Sequence, residues 1–108
     1  MNSGILTENK IDEKLIEEIK SIEYQQDAIL IKGKPDTNIV FFVIDKNQGL
    51  FEHSAVINAD VHIIEGEINF IVSGKNYELK EGSRIEIPSN APHSFKATEK
   101  TKMILFVS

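Results

Sequence analysis

Three histidines, His53, His62 and His93, carry the broadest chemistry in this chain, and there is no cysteine beside them. Thiolate nucleophiles, disulfides and cysteine-held zinc are thereby excluded, so any metal or acid–base work falls to His, Asp or Glu. His53 and His93 lie far apart in sequence, each next to a β-branched or aromatic run. Polar groups that converge from two strands are what a small-molecule pocket uses to orient its ligand. Two imidazoles alone do not make a first-row metal site, which usually takes three protein ligands. His62 stands between Val61 and Ile63 with a parity opposite to that of His53, which assigns it to an outer face or an interface. Phe95 shares the parity of His93 and is placed beside the pocket.

Positioning these side chains requires a β scaffold, and the chain supplies one. Short apolar runs over 28–32, 39–44, 50–57, 61–64, 68–72, 77–79, 84–87, 94–97 and 103–107 predict about nine strands with a turn every 8 to 12 residues, the pattern of a sandwich or barrel. Gly33-Lys34-Pro35-Asp36, Ser73-Gly74-Lys75-Asn76 and Lys80-Glu81-Gly82-Ser83 are the turn clusters between them. The run over 39–44 has no polar alternation, so it is expected within a sandwich or at a subunit contact. Ahead of the strands, Ile11, Leu15, Ile16, Ile19 and Ile22 recur at helical spacing and predict an amphipathic helix over 10–21 that covers β surface. Asn9 is a candidate cap, with Asp12 and Glu13 in the first turn.

With 108 residues the chain makes one β domain over 28–108, preceded by a tail and helix over 1–27. Its 17 acidic and 12 scattered basic residues give a net charge of −5, which repels a phosphate backbone and argues against nucleic acid. The opening MNSGILTENKIDE has neither a basic n-region nor an apolar h-region, and no apolar run approaches the roughly 20 residues of a membrane span. A cytoplasmic protein without a membrane partner is expected.

Gly82, Pro88 and His93 stand in the spacing G-x5-P-x4-H, with Asn90 two residues after the proline and Ala97 four after the histidine. In these residues the chain resembles the cupin family of small jelly-roll barrels, whose pattern is G-x5-P-x-G-x2-H-x3-N, with Asn90 in place of its glycine and Ala97 in place of its asparagine. The family's first motif aligns on His53 and Gly66, with Ala55 at its second histidine and Ala59 at its glutamate. The resemblance covers residues 28–107 and implies an all-β cupin jelly roll with a short N-terminal helix. Metal-binding cupins hold their ion with three histidines and a glutamate, and of these the chain keeps His53 and His93. In the longer form of the motif Asp60 takes the glutamate's place, which would make His53, His93 and Asp60 a two-histidine, one-carboxylate triad suited to iron, manganese or zinc. Strand period points Asp60 away from such a site unless a bulge intervenes.

The leading expectation is a cupin that binds a small organic ligand at His53, His93 and Phe95, with metal binding reduced or lost and no cofactor. Alternatives are a metal-dependent dioxygenase or isomerase, and a structural or regulatory dimer. A homodimer is expected on two grounds: the apolar run over 39–44 together with the helix face offers more apolar surface than one small barrel covers, and cupins are commonly dimers.

Overall fold

The computed structural model describes residues 10–108. One helix, α1 (Glu13–Lys20), precedes nine strands: β1 (Ile29–Gly33), β2 (Ile39–Ile44), β3 (Gly49–His53), β4 (Ala59–Glu65), β5 (Glu67–Val72), β6 (Lys75–Lys80), β7 (Arg84–Ile87), β8 (His93–Ala97) and β9 (Thr101–Val107). All pairings are antiparallel. They form a five-stranded sheet in the order β1-β2-β9-β4-β7 and a four-stranded sheet in the order β3-β8-β5-β6. The mostly β expectation therefore holds.

The space between the sheets is filled by Val61, Ile63, Ile68, Phe70, Phe95 and Met103, all buried. A second apolar cluster lies on the outer face of the larger sheet, where Leu15 and Ile19 of α1 pack against Phe41, Val43, Ile104 and Phe106. This explains the unbroken run of β2. Ile44 and the partly buried Phe42 join the inter-sheet core, while Phe41 and Val43 point out and are covered by the helix. Phe41 and Val43, part of the apolar surface on which the homodimer expectation rested, are thus buried within one chain, while Ile39 and Val40 stay partly exposed.

The helix is shorter at its start than the sequence suggests. Asp12 caps it, its Oδ1 accepting the Leu15 N–H at 2.9 Å, so Asp12 stands before the first turn instead of inside it. Asn9, the expected cap, lies outside the described residues.

Strand β3 stops at His53 instead of running on to 57. The backbone beyond it finds other partners: the Ala55 carbonyl accepts the Asn90 N–H at 2.7 Å, and Asn58 exchanges two main-chain bonds with Ser108. A glycine is required at the bend between β4 and β5. Gly66 has φ +95°, and a Cβ there would run into the Lys100 carbonyl.

Candidate functional site

His53 and His93 face each other across the β3–β8 pair. They are register partners, and their rings meet edge to face with centroids 4.2 Å apart. A β-bulge makes this possible. Leu50 pairs with Phe95 and His53 with His93, so three steps along β3 match two along β8. In a regular strand Leu50 and His53 would point to opposite faces; the extra residue turns both to the core face.

On the opposite strand the Pro88-Ser89-Asn90-Ala91-Pro92 turn sets His93. Asn90 sits at φ +68°, the left-handed conformation that makes asparagine the best replacement for the expected glycine. Its N–H ties the turn to Ala55 in the loop that follows His53.

Both imidazoles are held in the same way. His53 Nδ1 lies 3.0 Å from the Phe51 carbonyl and His93 Nδ1 lies 2.9 Å from the Ala91 carbonyl, each two residues back along its own strand or turn. A carbonyl oxygen only accepts, so Nδ1 carries the proton and donates in both rings. In the neutral form each ring then presents the lone pair of Nε2. His53 is exposed and His93 partly buried, so the pair lies at the open edge of the core.

Phe95 is on the same face, two residues beyond His93. It is buried, with Phe42 at 6.1 Å edge to face and Phe70 at 5.2 Å, and so belongs to an aromatic cluster of the core. Phe51, in the same strand as Leu50 but of opposite parity, is turned outward and is 96% exposed.

Asp60 does not join the histidines. It lies on β4 of the other sheet, between the inward-facing Ala59 and Val61, and projects to the outer face. There its Oδ1 accepts from Arg84 Nε at 2.7 Å, while Arg84 also reaches Glu86 at 2.8 Å. The Asp60 carboxylate pushes the Arg84 guanidinium pKa further up, first by the hydrogen bond and then by charge. His62 shares this outer face, its ring edge to face with Phe106 at 5.6 Å and its Nε2 3.4 Å from Asp60 Oδ1.

The donor set therefore does not fit a cupin metal ion. Ala55 and Ala59 replace two ligands, Asp60 points to the opposite side of its sheet, and among the described residues no group of three His, Asp or Glu side chains converges. Sequence reasoning missed a different cluster, formed by Gln48, Phe51, Asn69 and Lys96 on the outer face of the smaller sheet. The alternation in β5 carried the signal, since Asn69 breaks an otherwise apolar run.

Two antiparallel sheets with a histidine pair at one edge define a cupin sandwich. Residues 52–108 match the cupin domain family, and the chain belongs to it. Among solved structures it resembles a conserved protein of unknown function from Streptococcus pyogenes, with 28% identity and a TM-score of 0.76 over 93% of this chain and 90% of that one. It also resembles a cupin 2 conserved barrel domain protein from Leptotrichia buccalis, with 33% identity and a TM-score of 0.71, covering 80% of this chain but only 43% of that one. A cupin superfamily protein from Desulfitobacterium hafniense shares the fold at 16% identity, with a TM-score of 0.76 over 94% of each chain. No curated protein matches the chain. No helix among the described residues is long and apolar enough to cross a membrane.

Proposed function

We propose that this cupin binds a small organic ligand at the His53–His93 edge of its core, through hydrogen bonds and not through a metal ion. The observation that carries the reading is that both Nδ1 atoms lie against backbone carbonyls in rings whose centroids are 4.2 Å apart. Nδ1 is then the donor in each neutral ring, which leaves two neighbouring Nε2 lone pairs as acceptors. Such a pair accepts hydrogen bonds, which selects a ligand with O–H or N–H donors on a largely apolar body. The rings are held by main-chain contacts and by the β3–β8 register, so little side-chain freedom is lost on binding.

An NMR-observed titration with phenol and catechol as probes tests this. Binding should move the imidazole resonances of His53 and His93 together and should be lost in both His53→Phe and His93→Phe. Probes that bind without perturbing either ring, or that bind both variants unchanged, would refute the reading.

A further inference from the structure

The outer face of the four-stranded sheet, opposite to the histidines, carries a recess of about 490 Å³. That volume lies within the roughly 300–1,000 Å³ of small-molecule sites. The register sets its floor: Lys96 lies between Gly49 and Asn69, and Ser94 lies beside Ile71. Gln48 and Phe51 wall it from the β3 side.

Three features of this recess are unusual for a solvated sheet face. The side-chain oxygen of Asn69 is buried without a hydrogen-bond partner among the described residues, a costly arrangement for an amide. Phe51 is 96% exposed, leaving an aromatic ring in solvent at the rim. Glu52 and Lys96 both line the recess, and neither forms an ion pair among the described residues.

We propose that this recess is a carbohydrate-binding site, with one pyranose ring stacked on Phe51 and its hydroxyls met by the polar side chains of Gln48, Glu52, Ser94 and Lys96 around it. A sugar ring has an apolar C–H face for the aromatic side chain and an edge of hydroxyls that both donate and accept. Those hydroxyls match an acceptor amide, a carboxylate, a serine hydroxyl and an ammonium around one cavity. A wholly apolar occupant would bury Glu52 and Lys96 unpaired. A simple anion would meet Glu52 beside Lys96. A neutral polyol satisfies all of these groups without leaving a net charge in the recess.

The test is a backbone amide NMR titration of the whole chain with methyl β-D-glucopyranoside, cellotetraose and xylotetraose, each taken to about 10 mM, the scale of weak single-site binding. At least one saccharide should give saturable shifts confined to residues 47–52, 69–71 and 94–96. Phe51→Ala should weaken it by about tenfold or more, as expected for an aromatic anchor, and Phe51→Tyr should retain it. Because Phe51 is almost wholly exposed, neither substitution should disturb the fold. Absence of shifts with all three saccharides, shifts centred on His53 and His93, or binding that Phe51→Ala leaves unchanged would overturn the assignment. So would a Phe51-dependent doubling of molecular mass, since a second copy would then occupy the recess.

Discussion

The ammonium of Lys102 donates to the main-chain carbonyl of Lys20 at 3.0 Å, joining the last strand to the final turn of the only helix among the described residues. Lys102 is just 4% exposed, and its Nζ also lies over the Tyr24 ring at 4.9 Å from the centroid. A cation at a helix C-terminus meets the negative end of the helix dipole, and burial strengthens both contacts. Lys102→Ala leaves the Lys20 carbonyl without its donor and the Tyr24 ring with only the more distant Lys100 ammonium, 5.4 Å from the centroid, and should cost about 1–3 kcal/mol of stability. Chemical denaturation measures the loss, and hydrogen exchange should show α1 loosening first.

Tyr24 adds a pH dependence to the same joint. Its hydroxyl donates to Glu65 Oε2 at 2.5 Å, and burial, followed by this bond to a carboxylate, pushes the phenol pKa well above its ordinary value. The folded state therefore holds a proton that the unfolded chain releases near pH 10. The contribution is complete below about pH 10 and is lost as pH rises through the folded value. The stability difference between the native chain and Tyr24→Phe should narrow steadily above pH 10. A difference that stays constant from pH 8 to 12 would show that Tyr24 is not coupled in this way.

Phe41 separates two explanations of the apolar run in β2. Its side chain is fully buried beneath α1, so Phe41→Asp places a carboxylate in the core. A loss of more than about 3 kcal/mol is expected, read as unfolding in circular dichroism. A folded variant of altered mass would instead place Phe41 at a contact between chains.

Gly49 governs the pairing that brings the histidines together. A Cβ at this position would collide with the Phe95 carbonyl, so Gly49→Ala must push β3 away from β8. The expected cost is about 1–3 kcal/mol. The amide signals of His53 and His93 should shift together, because both depend on that register.

Much of this architecture is legible in the sequence, for reasons tied to particular residues. Period-two alternation in β4 places Val61 inward and Asp60 and His62 outward, as the structure does. Helical spacing of Leu15 and Ile19 announces a helix that covers a sheet. What alternation cannot announce is a bulge: the extra residue between Leu50 and His53 depends on β8 and on the close approach allowed by Gly49. Nor does an apolar run reveal whether its second face is covered by a helix or by another chain, and in β2 the cover over Phe41 and Val43 is α1. The outer recess was hidden for a related reason, because Phe51 reads as core until the strand's phase is known.

If His53 and His93 act as hydrogen-bond acceptors and not as metal ligands, zinc(II) should not engage their Nε2 atoms. Side-chain ¹⁵N spectra of the histidines, recorded before and after one equivalent of zinc(II), test this. Both rings should show a protonated Nδ1 and an unprotonated Nε2, and one equivalent of zinc should leave them essentially unchanged. Stoichiometric, slow-exchange movement of both Nε2 signals, abolished by His53→Ala, would contradict the account and show that a third ligand completes a metal site.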